Sequence, residues 1–289
     1  MTGILLVDKP EGMSSAGAIR VLKGRLAGAK VGHLGTLDPF ASGLLPLCVG
    51  EATKVARYLL LERKAYVGTI RLGVETDTLD RTGQVTATAD IPPLSKDAVA
   101  AVGACFVGPQ RQVPPMFSAL KRDGVPLYKL ARRGVAVERE ARAIEIVRFD
   151  LTLRDADHVD FVVECSKGTY VRVLAADLGR ALGTGAHLDV LRRTAVGAFR
   201  VEDAHPPAVL ADMPDLPLLP IRDALAELRA FPLSPAALGL LRHGQQGPLS
   251  DLPAPGRDEA ALVVDGSGVV AALLEPGPQG WRLARLLGS

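Results

Sequence analysis

Apolar and polar residues alternate along this chain with two periods, one suited to strands and one to helices. The apolar run at 4–7 stops at Asp8-Lys9-Pro10, which predicts a strand entering a turn. Ser14 or Ser15 then offers a helix cap. Ile19, Leu22 and Leu26 share one face of the helix that follows, and Gly28 is its stop. An apolar strand is expected at 44–49, a helix at 51–61, and a strand at 64–73 whose Tyr66, Ile70 and Leu72 point to one side. A second helix opens at Ser95, after Pro92-Pro93, and extends to 106. A short basic helix covers 127–133 and ends at Gly134. Strands at 143–153 and 159–165 pair about a polar turn. The next helix starts near Thr169 and carries Val171, Leu174, Leu178 and Leu182 at helical spacing, with Arg172 beside that stripe and Gly183 at its end. A strand at 188–199 follows.

Residues 204–220 are rich in proline and apolar side chains and read as a connector. Beyond them, Ser234 caps a helix with Pro235 in its first turn and Gly244 as its stop. Short strands follow at 261–264, 269–275 and 281–287, with Asp265-Gly266 suited to a tight turn between the first two. Long, antiparallel-looking strands between helices predict the α+β class. The expected division is a larger domain at 1–204, a connector at 205–220 and a β-rich module at 221–289.

Composition changes this picture little. A chain of 289 residues can bury a sizeable core. No basic stretch precedes an apolar run at the amino terminus, and no apolar run approaches the ~20 residues that span a bilayer. Cys48, Cys105 and Cys165 are odd in number and form no CxxC pair, as expected of reduced, packed thiols in a cytoplasmic protein. The net charge of +2 is nearly neutral, but its distribution is uneven. Lys121, Arg122, Lys129, Arg132, Arg133 and Arg142 concentrate positive charge, whereas the stretch after His205 is rich in acids. A basic segment suits a phosphate backbone, although a solvated helix face also produces such a run.

Candidate chemistry centres on GHLGTLDPFASG at 32–43, which sets one carboxylate, Asp38, among Gly32, Gly35, Pro39 and Gly43. Glycine permits positive φ or close backbone approach, and Pro39 restricts both itself and Asp38. The loop is suited to holding one acid in place. An ordinary Asp-Pro turn uses the same residues.

This segment resembles the active-site motif of pseudouridine synthases, in particular the TruB family. The likeness extends in order through GILLVDKPEGMSS, LPLCVGEATKVARYL, KAYVGTIRLGVETDTLDRTG, QVPPMFSALKRDGVPLYKLARRG, CSKGTYVRVLAADLG and GAHLDVLRRTAVG, over roughly the first two hundred residues. It implies a mixed, largely antiparallel sheet crossed by the active cleft, and isomerisation of uridine to pseudouridine at position 55 in the tRNA T-loop. Asp38 then corresponds to the family's catalytic aspartate, and Arg172 to an arginine that pairs with it. Tyr66 matches the tyrosine stacked on the target uracil and associated with proton transfer at C5. Tyr170 and Leu191 match residues lining the uracil pocket, and His33 one that fills the space left by a flipped base. Lys9 supports the loop or a phosphate. Lys121, Arg122, Lys129, Arg132, Arg133 and Arg142 are expected to clasp the T-arm. The helix ending in Leu241-Arg242-His243-Gly244-Gln245 resembles the start of a PUA-type RNA-binding domain.

Leu34 and Phe40 depart from the threonine and leucine frequent in the family. There is no nucleotide loop, metal-ligand spacing or cofactor motif, so activity is expected in chelator with no cofactor and no metal. A monomer acting without a membrane or protein partner is expected. A glycosidase would need a second carboxylate, and Glu51 and Asp77 lie in no comparably constrained motif. A non-catalytic structured-RNA-binding protein or RNA chaperone would explain the basic segment but not the Asp38 loop. A ribonucleoprotein component related to guide-dependent synthases fits the 112–134 segment less well.

Overall fold

The computed structural model describes residues 1–60, 62–118, 120–122, 124–135 and 137–288. Ten strands form the main sheet. In chain order they are β1 (Gly3–Lys9), β2 (Val31–His33), β3 (Ser42–Val49), β4 (Lys64–Leu72), β5 (Gly108–Gln112), β6 (Arg142–Leu153), β7 (His158–Cys165), β8 (Ala186–Val196), β9 (Phe199–Arg200) and β10 (Leu218–Leu219). The path across the sheet is β10-β1-β3-β8-β4-β7-β6-β5, with β2 added to β3 and β9 to β8. Every pair is antiparallel except β3 with β8, which run parallel where Arg192 and Arg193 meet Ser42 and Gly43. This exception brings the strand after the Asp38 loop alongside the LRRT segment.

Strands β1 and β3 read as continuous apolar runs because both of their faces are covered. Leu5, Val7, Leu45, Leu47 and Val49 face one core with the helices α1 (Ser15–Leu22), α2 (Lys96–Ala104) and α3 (Val171–Ala181). Ile4, Leu6, Leu44 and Cys48 face a second core shared with the carboxy-terminal module. That module contains β11 (Arg229–Pro232), α4 (Pro235–Arg242), β12 (Ala261–Val264), β13 (Val270–Gly277) and β14 (Gly280–Leu286). Its four-stranded sheet runs β11-β12-β13-β14, and Leu262, Val264, Val270 and Leu273 lie in the shared core. A polar junction closes this contact: Glu275 accepts from Tyr58 Oη at 2.8 Å, pairs with Arg282 at 2.9 Å and also pairs with Arg57.

Several local readings stand as expected. The Ser14, Ser95 and Ser234 hydroxyls accept from Gly17, Ala98 and Ala237 amides and cap α1, α2 and α4. Others change. The helix expected at 51–61 is broken into a 3-10 turn at Gly50–Lys54 and one α turn at Ala56–Leu59, and its expected last residue, Leu61, lies outside the described residues. The 204–220 segment, expected as a connector, carries a helix at Pro207–Asp212 and adds β10 to the β1 edge. Cys48 and Cys165 are buried as expected, with burial pushing their thiols up to about 12 and about 11, but Cys105 is exposed. Among the described residues, no helix is long and apolar enough to cross a membrane.

Candidate active site

The Asp38 loop is held from three sides. Ser15, the first residue of α1, donates its hydroxyl to the Leu37 carbonyl at 3.0 Å and accepts from the Leu37 amide at 2.9 Å. Lys9, at the end of β1, is fully buried, and its ammonium donates to the carbonyls of Met13 at 2.7 Å, Pro10 at 3.0 Å and Pro39 at 3.4 Å, and also to Ala41. Arg193, on β8, donates to Gly35 and Leu44 carbonyls at 3.1 and 2.7 Å. Gly35 and Gly43 have φ of 112° and 102°. A Cβ on Gly43 would lie 2.3 Å from the Arg193 carbonyl oxygen, so both φ and the parallel β3/β8 contact demand glycine there. Gly32 has neither constraint and sits in the unexpected short strand β2.

On this frame, Asp38 meets Arg172 from the first turn of α3. The Arg172 Nε lies 2.9 Å from Asp38 Oδ2, and the Asp38 side chain remains 37% exposed. Arg172, beside its helix's apolar stripe as expected, is buried along with it. Its remaining donors are also engaged: Nη1 donates to the Thr78 carbonyl at 2.8 Å and lies 3.4 Å from Asp80 Oδ2, while Nη2 donates to the Phe117 carbonyl at 2.8 Å. Asp80 is only 5% exposed at its side chain and accepts from Thr78 Oγ1 at 2.8 Å and the Thr82 amide at 2.9 Å. Between them Leu79 takes a left-handed φ of 62°, which orients both the Thr78 carbonyl and Asp80 toward Arg172. Burial raises the Asp38 pKa above its usual range, while the Arg172 guanidinium opposes that shift and the Asp80 charge adds to it. Arg172 therefore limits, and does not reverse, the cost of ionising Asp38.

Tyr66 and Leu191 are buried on the same sheet face, on β4 and β8, and Tyr170 precedes α3. Burial raises the Tyr66 pKa, with Arg193 opposing it. Gln112 fixes Tyr170 with both ends of its amide: Oε1 accepts from the Tyr170 amide at 2.8 Å, and Nε2 donates to its carbonyl at 3.2 Å. His33 is half-buried at the end of β2, its Nδ1 has no partner, and burial followed by the Arg193 charge lowers its pKa, which favours the neutral ring.

The expected RNA contacts divide. Lys121, Arg122, Lys129, Arg132, Arg133 and Arg142 are exposed: Lys121 and Arg122 in a short strand paired with Val125–Pro126, Lys129 on the helix Leu127–Ala131, Arg132 and Arg133 just after it, and Arg142 at the start of β6. Lys9 is not among them: with no exposed surface it cannot meet a phosphate, and its four carbonyl acceptors assign it to the loop. Leu34 and Phe40, the departures from family pattern, are core residues. A separate depression of about 330 Å³ beside Arg63, Lys64, Glu164 and Arg200 does not include Asp38.

Sequence reasoning did not find Asp80, Gln112, Ser15 or Arg193. Asp80 lies three residues after Asp77, in a Thr-rich turn whose hydroxyls offered a signal. Gln112 opens the quoted QVPPMF segment, and Arg193 is the second arginine of LRRT.

Residues 23–171 match the family model described as TruB family pseudouridylate synthase (N terminal domain), and 172–215 match the tRNA pseudouridylate synthase B C-terminal domain. Among curated proteins, tRNA pseudouridine synthase B of Burkholderia mallei (strain NCTC 10247) is 48% identical over 90% of this chain and 87% of its own. The protein of that name from Dechloromonas aromatica (strain RCB) is 45% identical over 96% of this chain and 92% of its own. Among solved structures, a chain of a Cbf5-Nop10-Gar1 complex superposes with a TM-score of 0.74 at 24% identity, over 99% of this chain and 85% of that one. A chain of an H/ACA RNP bound to a substrate RNA containing 2'-deoxyuridine gives 0.73 at 22%, over 99% and 85%. These two share the fold. The chain belongs to the TruB family of pseudouridylate synthases, which isomerise uridine to pseudouridine in tRNA.

Proposed function

We propose that this enzyme acts on the uridine at position 55 in the tRNA T-loop, with Asp38 as its catalytic aspartate. The observation that carries this reading is the contrast between two acids on one guanidinium. Asp80 is sealed, with a side chain 5% exposed, whereas Asp38 presents a carboxylate 37% exposed at the same arginine. Of the two, Asp38 is the one open to a nucleoside.

The reaction breaks the bond from ribose C1′ to uracil N1, forms one from C1′ to C5, and moves one proton from C5 to N1. Asp38 works at the sugar or base, where a carboxylate serves as nucleophile or proton acceptor. Tyr66 stacks on the uracil and stands at C5, with Tyr170 and Leu191 closing the pocket. His33, neutral, fills the stack once the base has been extruded. Extrusion costs a few kcal/mol, which stacking and pocket contacts offset.

The exposed bases from Lys121 to Arg142 clasp the T-arm by its backbone, and the carboxy-terminal module, PUA-like in sequence at α4, lies against the back of the same sheet. We assign residues 1–204 to catalysis, 205–220 to the connecting segment and 221–289 to the RNA-binding module, acting as a monomer. An unmodified tRNA transcript and its isolated T-arm, with pseudouridine mapped by chemical labelling, test the assignment. Product is expected at position 55 in both; product confined to another position, or absent from the T-arm, would refute it.

A further inference from the structure

Arg193 is 1% exposed, and among the described residues no carboxylate lies within ion-pair distance of it. Its neighbour Arg192 shows the ordinary arrangement, donating to both oxygens of Asp8 at 3.0 and 2.8 Å. A buried guanidinium without a counter-ion costs several kcal/mol unless its donors are well used. Here they are used on backbone. Nε reaches the Leu44 carbonyl at 2.7 Å and Nη2 the Gly35 carbonyl at 3.1 Å, one on each side of Asp38 in the chain.

The main chain of Arg193 is equally well placed. It pairs in parallel with Gly43 and in antiparallel fashion with Tyr66. Residue 193 thus touches both limbs of the acid's loop and stands directly across from the tyrosine. Its charge also reaches the surrounding groups, disfavouring protonation of His33, Lys9 and Lys64 and favouring loss of the Tyr66 proton. An apolar side chain would fill the same space without the desolvation cost, so packing alone does not account for an arginine.

We propose that Arg193 is a positioning residue of the reaction: it ties the Gly35 and Leu44 limbs of the Asp38 loop to the strand opposite Tyr66 and so fixes the separation of acid and phenol. The proposal rests on the reading of Asp38 and Tyr66 as the groups that meet the nucleoside. A planar guanidinium can bridge two carbonyls at once, whereas an ammonium acts as one point charge. Displacement of reacting groups by about 1 Å costs about a hundredfold in rate.

Arg193→Lys and Arg193→Gln are to be compared with wild type in single-turnover pseudouridine formation, tRNA affinity by filter binding, and melting temperature. Arg193→Lys is expected to lose about a hundredfold in rate with its dissociation constant for tRNA within about threefold of wild type. Arg193→Gln is expected to be slower still. A wild-type rate for Arg193→Lys would overturn the proposal. So would a rate loss matched by an equal loss of tRNA affinity, since that pattern marks a residue supporting the RNA surface. Should Arg193→Gln fail to fold, Arg193→Lys alone decides. Asp38→Asn is carried through the same assay: if it stays active, the reading of Asp38 fails, whereas a slow Arg193→Lys beside an inactive Asp38→Asn supports both.

Discussion

At the scale of single residues, the site is an acid whose ionisation is costly and an arginine that lowers the cost. Burial raises the Asp38 pKa and Arg172 opposes it. Removing that opposition in Arg172→Gln should raise the pKa further and move the acid limb of the pH–rate profile to higher pH. A limb that stays in place would show that Arg172 does not govern the charge. The same raised pKa has a sign for stability. A carboxyl with a higher pKa in the folded than in the unfolded state favours folding while protonated and loses that contribution as pH rises through the folded pKa. Asp38→Asn should therefore melt at a higher temperature than wild type at neutral pH, with the gain shrinking toward pH 4 and below. A lower melting temperature at neutral pH would mean that the Arg172 pair outweighs burial.

At the scale of elements, two contacts decide where Asp38 stands. Ser15→Ala removes both hydrogen bonds from α1 to Leu37 and should cost about 2 kcal/mol of stability. It should lower kcat more than it raises KM for tRNA, because the loop and not the RNA surface is loosened. Gly43→Ala places a Cβ 2.3 Å from the Arg193 carbonyl oxygen at a φ of 102°, forcing β3 from β8. A loss of about 2 kcal/mol or more is expected, measured by denaturant unfolding. These elements also show what could be read in advance. The long strands, the Ser14, Ser95 and Ser234 caps and the Gly183 and Gly244 stops were legible because their signals are local, whereas α1 ends at Leu22, well short of the expected stop at Gly28. The strand carrying His33 and the β10 edge were not, because each is set by pairing with distant sequence. The Asp38 loop was visible from its glycines and proline. Arg193 and Gln112 were not, since their partners lie 149 and 58 residues away.

For the whole molecule, charge is divided between a sealed interior and an open margin. Buried Lys9 and Arg193 hold the loop, while Arg132 and Arg133 are exposed to solvent. If that margin clasps tRNA, Arg132→Glu with Arg133→Glu should raise KM for tRNA and reduce the salt slope of binding by about 2. Unchanged kinetics across a salt series would reject the clasp.

The open Asp38 carboxylate is the group proposed to carry the isomerisation. Single-turnover pseudouridine formation on an unmodified tRNA transcript, wild type against Asp38→Asn at saturating enzyme, tests it most directly. A loss of rate of at least about a thousandfold is expected, within the range for losing a positioned acid–base or nucleophilic group, with tRNA still bound. Equal rates in the two proteins would contradict it.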